Sequence, residues 1–193
     1  MSAAPRRIDV ATLPAQRWKN GAGLTREIAT GPDGAGIDDF DWRLSVAELE
    51  HDAPFSAFPG IDRCIVVLDG AGMTLHDAAG GEVRELRPLE PWAFGGETTL
   101  SARLPAGPCR DFNVMTRRGR WRATLDMAHD AARFEVADAA LLLAVRGHWR
   151  LGDETVAPMQ GLLWSAPGEA IELRPLDADA ALLRLRLCQD VRP

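Results

Sequence analysis

Short runs of alternating hydrophobic and polar residues recur along the chain, separated by glycine and proline. Residues 40–46 place four apolar side chains on one face of an extended strand and three polar side chains on the other. Residues 63–68 form a dense β-branched run that ends in a glycine turn at 69–72. With 18 glycines and 13 prolines at short intervals, this pattern predicts an all-β sandwich or barrel. Only residues 126–133 have a pattern compatible with a helix.

The second half of the chain repeats the strand plan of the first. Residues 66–70 and 143–147 each combine an apolar run with a glycine turn, and residues 91–94 resemble residues 163–166. No linker-like tract rich in serine, glycine or charge separates the halves. We therefore expect a duplicated β barrel packed as one body, with chance similarity as the alternative.

Composition narrows the class of protein. The chain has 193 residues, of which 46% are hydrophobic, so it is long enough to bury a substantial core. A net charge of -6 argues against a nucleic-acid partner, whose phosphates require a basic face. Three widely spaced cysteines form no disulfide framework, and the N-terminus lacks the apolar core of a signal peptide. The longest apolar run, 139–145, is too short to cross a bilayer. The expectation is a soluble, cytoplasmic protein with no membrane or nucleic-acid partner.

Several common catalytic patterns are missing from the sequence. Lys19 is the only lysine, so Schiff-base and phosphate-loop chemistry would both have to use it, and its surroundings match neither pattern. The chain has no tyrosine, which excludes tyrosine acid–base catalysis. Gly21 and Gly23 lack the third glycine of a dinucleotide-binding loop. Ser165 does not lie in a nucleophile elbow. No nucleophilic triad is therefore predicted.

Four segments together resemble the HutD/Ves family of small bicupins. They are residues 18–28 (WKNGAGLTREI), 40–47 (FDWRLSVA), 54–63 (PFSAFPGIDR) and 111–115 (DFNVM). The rest of the chain resembles the family only in strand rhythm. The resemblance implies the double-stranded β-helix of the cupins, with two cupin barrels packed as one compact bicupin unit. The barrel of residues 1–118 would carry the ligand pocket, and the smaller barrel of residues 119–193 would be mainly structural. It also implies a link to histidine utilisation, but no particular reaction.

The resemblance to cupins also bears on metal binding. Many cupins hold a metal through a motif of two histidines and a glutamate followed by a glycine. Aligned on Gly70, the glutamate position falls on Arg63, and the two histidine positions fall within residues 56–59, which contain none. No histidine lies between His76 and His129, where a third ligand would be expected. We therefore expect no metal and no cofactor. A guanidinium in that place would instead favour a carboxylate.

Polar residues within otherwise apolar strands form the candidate ligand-binding set, to which Phe58 adds an apolar wall. The set is Arg43, Ser45, Ser56, Phe58, Arg63, Asp111 and Asn113. The alternative for each residue is the solvent face of a half-buried strand. Asp111 and Asn113 share a strand face, and Asp111 is the candidate to orient an arginine.

Three more residues are candidates for a lid or a general base. Trp18 and Asn20 lie in the sequence WKNG, whose Asn-Gly pair favours a hairpin turn. The alternative is that Trp18 forms a lid over the mouth of the barrel. Glu27 is a candidate base, but a carboxylate close to two arginines should have a lowered pKa and be a poor base near neutral pH.

Three functions remain open on this basis. The first is a sensor or regulator that binds a small anionic metabolite such as urocanate or formylglutamate, with Arg43 and Arg63 matching two carboxylates. The second is a cofactor-independent isomerase or hydrolase with Glu27 or Asp111 as the base and an arginine stabilising an oxyanion. The third is a structural or dimerisation module without a ligand. We expect a binding protein rather than an enzyme, with a homodimer left open.

Overall fold

The computed structural model describes residues 4–190, which form strands and one short 3-10 helix, Val10–Thr12. In chain order the strands are β1 (Arg6–Asp9), β2 (Ala15–Arg17), β3 (Gly23–Gly31), β4 (Trp42–Leu49), β5 (Ala53–Pro54), β6 (Ile61–Asp69), β7 (Met73–His76), β8 (Glu82–Leu86), β9 (Trp92–Gly95), β10 (Ser101–Arg103), β11 (Cys109–Arg117), β12 (Trp121–Ala128), β13 (Ala132–Phe134), β14 (Ala139–Arg146), β15 (Trp149–Leu151), β16 (Glu154–Val156), β17 (Gln160–Trp164), β18 (Ile171–Pro175) and β19 (Ala181–Gln189). The all-β prediction is confirmed.

The helix predicted over residues 126–133 is wrong. These residues belong to β12 and β13, which are separated by a short turn. β12 pairs with β19 along its whole length, from Trp121 opposite Gln189 to Ala128 opposite Leu182. Cross-strand pairing of this extent outweighs a weak local helical pattern.

Residues 13–120 form one compact unit of two antiparallel sheets. The larger sheet has the strand order β2-β3-β4-β11-β6-β9, and the smaller has the order β5-β10-β7-β8. Apolar side chains from both sheets form one hydrophobic core. Its buried members are Ala47, Leu49, Ile65, Val67, Met73, Leu75, Leu86, Leu100, Ala102 and Cys109. The sheets share this core without closing into one continuous barrel.

The other unit contains residues 4–12 and 121–190 of the described chain. Its sheets have the orders β1-β17-β14-β19-β12 and β13-β18-β15-β16. Its hydrophobic core includes Leu142, Trp149, Leu151, Trp164 and Leu182, and Trp149 Nε1 is buried there without a hydrogen-bond partner. The order β4-β11-β6-β9 in the first unit corresponds to β12-β19-β14-β17 here, so the two halves share one strand plan.

The division of the chain differs from the expected 1–118 and 119–193 at the N-terminus. β1 pairs with β17, with Arg6 opposite Leu163 and Asp9 opposite Gln160. The N-terminal strand therefore completes a sheet of the C-terminal unit, because its only ladder partner in the described chain lies there.

The three cysteines are free thiols. Within residues 4–190 there is no helix with the length and apolar character needed to span a bilayer.

Candidate functional site

A cavity of about 610 Å³ lies within the unit of residues 13–120. All seven candidate ligand-binding residues line it, as do Trp18 and Asn20. Glu27 is not among the lining residues, but it contacts one of them. Residues that the alternation alone would have placed on a solvent face therefore surround one concave space.

Five polar side chains of the cavity lie in three cross-strand rows. Residues two apart on a strand share a face, so the rows on β4, β11 and β6 are stacked along one surface. From β4 through β11 to β6, the rows are Arg43, Met115 and Arg63; Ser45, Asn113 and Ile65; and Ala47, Asp111 and Val67. Arg43 and Arg63 stand on strands separated by β11, so their backbones are about 10 Å apart.

Arg63 is a buried cation with unused hydrogen-bonding capacity. The residue is 8% exposed, its Nη1 donates to the carbonyl oxygen of Ser56 at 3.2 Å, and its Nε is buried without a partner. Its guanidinium carbon lies 4.9 Å from the ring centre of Phe94, 5.4 Å from that of Phe55 and 5.7 Å from that of Phe58. These rings favour the cation through their negative faces. They do not supply the hydrogen-bond acceptors that a guanidinium needs.

Asp111 is the second buried charged group of the cavity. The residue is 2% exposed, and its carboxyl accepts no hydrogen bond from residues 4–190. Burial raises the pKa of Asp111 to about 7, and the positive charge of Arg63 opposes this rise. Burial also lowers the pKa of Arg63 to about 10, partly offset by Asp111 and reinforced by Arg43. The pKa of Asp111 is raised despite the nearby positive charge because burial outweighs the neighbouring cation. Asp111 and Arg63 interact through charge alone.

Arg43 differs from Arg63 because its charge is already paired. Its Nε donates to Oε2 of Glu27 at 2.8 Å, and its Nη1 donates to Oγ of Ser45 at 3.3 Å. The Glu27 side chain is 48% exposed, so this ion pair lies at the edge of the site. Glu27 is thus a partner of Arg43, and its position does not support the expected role as a general base.

Asn113 occupies the centre of the three rows. The residue is 7% exposed, and its Oδ1 is buried without a hydrogen-bond partner. Arg63 Nε and Asn113 Oδ1 are therefore an unpaired buried donor and an unpaired buried acceptor on two residues that line the cavity. Native proteins leave few such atoms unsatisfied, because each costs about 1–3 kcal/mol. Unsatisfied atoms of both kinds in one cavity indicate a place for a polar ligand.

The rim of the cavity is the hairpin between β2 and β3. The Gly21 amide donates to the Trp18 carbonyl at 3.0 Å, and Asn20 Oδ1 accepts from the Ala22 amide at 3.1 Å. Gly21 has a positive φ of 73°, which explains the glycine after Asn20. Trp18 Nε1 donates to Thr25 Oγ1 at 2.8 Å and so holds the indole against β3. The predicted hairpin is present, and Trp18 forms part of the cavity wall.

The donor set does not fit a metal ion. Among residues 4–190, no group of three or more histidine, cysteine, aspartate or glutamate side chains is arranged to hold a metal. The cavity offers Asp111 as its one carboxylate, beside the guanidinium of Arg63. The cation at Arg63 would repel a metal at the place where the cupin motif puts a ligand.

Sequence reasoning missed several lining residues. Met115 follows Asn113 by two residues, so the spacing could have identified it. Phe94 is not a lining residue, but it contacts Arg63 because β9 pairs with β6 and places the two opposite each other. Nothing local in the sequence shows that pairing. The rim residues Gln16, Arg17 and Ile37 also carried no recognisable signal.

The fold is that of the cupins, with an arginine-lined pocket in place of a histidine set. A solved structure of oxalate decarboxylase shares it with a TM-score of 0.62 at 7% identity, over 96% of this chain and 77% of that one. At that identity the likeness concerns the fold alone.

Relatives of much higher identity define the family. The HutD family model matches residues 10–183, so the chain belongs to the HutD family. Protein Ves from Cronobacter sakazakii is 36% identical over 168 residues, covering 86% of this chain and 90% of that protein. An uncharacterized 21.2 kDa protein in the hutC 3' region of Pseudomonas putida is 42% identical over 136 residues, 70% of each chain. The solved structure of HutD from Pseudomonas fluorescens SBW25 has a TM-score of 0.85 at 31% identity, covering 96% of this chain and 99% of that one.

Proposed function

We propose that this protein is a metal-independent sensor or regulator that binds a small carboxylate through Arg63. The observation that carries the proposal is the buried guanidinium whose Nε has no partner while three aromatic rings surround it. A carboxylate is the simplest group that would accept from Nε and a terminal nitrogen together. It would also compensate a buried positive charge that Asp111 reaches only at a distance.

The unequal state of the two arginines sets the expected charge of the bound group. Arg43 is neutralised by Glu27 at 2.8 Å, whereas Arg63 has no ion-pair partner among residues 4–190 within salt-bridge distance. Arg43 is therefore not free to bind the second of the two carboxylates expected from the sequence. One carboxylate seated on Arg63 is the simpler interpretation. Lys19 at the cavity mouth adds a positive charge where an approaching anion would enter.

Histidine breakdown supplies the first candidate ligands. One relative is encoded in a hutC 3' region, and another, HutD from Pseudomonas fluorescens, was solved in a formate condition. Formate is the smallest carboxylate. Urocanate and formylglutamate are larger acids that a cavity of about 610 Å³ could accommodate.

The test is thermal unfolding with and without millimolar urocanate, formylglutamate, glutamate or histidine in chelator-treated buffer. A ligand at one hundred times its Kd should raise the Tm by roughly 5–10 °C for a chain of this size. Arg63→Gln should abolish the rise, while Arg133→Gln, at an exposed ion pair of the other unit, should retain it. Flat curves for every acid, or a rise that persists in Arg63→Gln, would refute carboxylate binding at Arg63.

A second candidate function is suggested by Asp111. A carboxyl with a pKa of about 7 beside a cation is suited to accept a proton from a bound acid near neutral pH. Purified protein that converts any of the same acids, with turnover lost in Asp111→Asn while binding persists, would establish a cofactor-independent enzyme. Recovery of every acid unchanged after long incubation would leave the binding protein.

A further inference from the structure

The cavity presents hydrogen-bond acceptors next to its unpaired cation. Asn113 and Asp111 lie on the same face of β11, two residues apart, and both line the cavity with Arg63. Neither side chain hydrogen-bonds to any of residues 4–190, and Asn113 Oδ1 is buried. A carboxylate on Arg63 would satisfy the guanidinium and leave these two side chains without partners.

The distance between the two ends of the site fits one small molecule. Asn113 pairs with Ile65, one row away from the Arg63 row on the same face. Successive residues on one face are about 7 Å apart along a strand. A ligand that reaches from Arg63 to Asn113 therefore spans only a few bonds.

The charges around Asp111 decide what the other end of the ligand can be. The cation that acts on Asp111 is Arg63 on β6, whereas Arg43 on β4 is paired with Glu27 on β3. On its own strand Asp111 has the buried thiol of Cys109, whose pKa is raised by burial and by Asp111 itself. A second carboxylate here would lie beside the carboxyl of Asp111. An N–H or O–H group would meet two acceptors.

Resting on the proposed function, we propose that the pocket selects acids that carry an N–H or O–H donor a few bonds from the carboxylate. Arg63 binds the carboxylate, and Asn113 and Asp111 accept from the donor. The ligand class is that of amido, imidazolyl and hydroxy acids. Asn113 is the specificity-determining residue, because its amide lies between the cation and the buried carboxyl.

Matched pairs of acids that differ only in the donor provide the test. N-acetylglycine and levulinate differ by an N–H against a methylene group. Urocanate and 3-(furan-3-yl)acrylate differ by a ring that donates against one that does not. Titration calorimetry at pH 8 gives the Kd of each acid. In at least one pair, we expect the donor-bearing acid to bind about tenfold tighter or more, because its analogue leaves a buried acceptor unpaired.

Substitutions separate this inference from the proposed function. Asn113→Leu should reduce the affinity for the donor-bearing acid about tenfold more than for its analogue, and Asn113→Thr, which keeps an oxygen, should restore part of the preference. Equal affinities within both pairs in the wild-type protein would overturn donor selection while leaving Arg63 as the carboxylate site, and this comparison needs no variant to fold. Failure of all four acids to bind, or binding unaffected by Arg63→Gln, would instead overturn the proposed function and donor selection with it.

Discussion

The two units share a strand plan but differ at the positions equivalent to Arg63 and Asp111. In the unit of residues 13–120, the rows across β4, β11 and β6 hold charged and amide side chains around a cavity. The equivalent rows across β12, β19 and β14 are Thr124, Arg186 and Ala140; Asp126, Arg184 and Leu142; and Ala128, Leu182 and Ala144. Ala140 takes the place of Arg63 and Leu182 that of Asp111, and both are fully or almost fully buried.

Among the charged residues that the second unit carries in these rows, Arg184 and Asp126 form an ion pair. Arg184 donates to Asp126 at 2.6 Å, and Arg186 lies 5.8 Å from the ring centre of Phe134. In the first unit, Arg63 Nε and Asn113 Oδ1 have no hydrogen-bond partner, whereas the atom of this kind in the described part of the second unit is Trp149 Nε1, which lies outside these rows. Because one fold accommodates both solutions, the unpaired groups are not a requirement of the fold. Groups that the fold does not require are what a binding site placed on it would add.

The largest effect should come from truncating the apolar interior. Trp149 is fully buried in the core of the C-terminal unit. We expect Trp149→Ala to lower the free energy of unfolding by about 3–5 kcal/mol, because it leaves a large cavity. Urea denaturation measures the change, with Arg150→Ala at the exposed neighbouring position as the control. A loss below about 1 kcal/mol would show that this interior is less tightly packed than the comparison requires.

Replacing Arg63 and Asp111 by apolar residues, as in the second unit, should raise the free energy of unfolding and remove ligand binding. We expect Arg63→Met combined with Asp111→Leu to raise the free energy of unfolding of the ligand-free protein by about 2 kcal/mol, because two buried charges are replaced by apolar groups of similar size. Urea denaturation and calorimetry with the acids that bind the wild-type protein report the two effects. A clear loss of stability would mean that the charged pair supports the fold, and the contrast between the units would no longer indicate a site.

Sequence reasoning reached the strands and much of the cavity, but not the pairings between distant segments. Two-residue spacing correctly places Asp111 and Asn113 on one face, since that follows from strand geometry alone. Arg63 was found through its position before Gly70. The assignment of β1 to the C-terminal unit could not be read locally, because its partner β17 lies more than 150 residues away.

The same limit affected the comparison of the two halves. Similarity of residues aligned Trp92 with Trp164, yet strand register places Phe94 opposite Arg63 and Trp164 opposite Ala140. Phe94 is thus the counterpart of Trp164. The helix predicted over 126–133 also concealed Asp126, so its ion pair with Arg184 was not anticipated. These errors have one cause, which is that register depends on tertiary pairing.

The smallest effect concerns the titration of Asp111 in the ligand-free protein. Its pKa of about 7 in the folded state lies above its ordinary value of 3.8, so the folded state binds more protons than the unfolded state between these values. Stability should therefore fall as pH rises through 7, by about 1.4 kcal/mol between pH 6 and pH 8. Asp111→Asn cannot titrate, so the difference in unfolding free energy between wild type and variant should change by that amount over this range. Urea denaturation at pH 6, 7 and 8 measures it, with the exposed Asp62→Asn as the control for removing one negative charge. A difference that stays constant with pH would show that the Asp111 carboxyl is already ionised at pH 6. The buried charges of the first unit would then be better compensated than the contacts of Arg63 and Asp111 indicate.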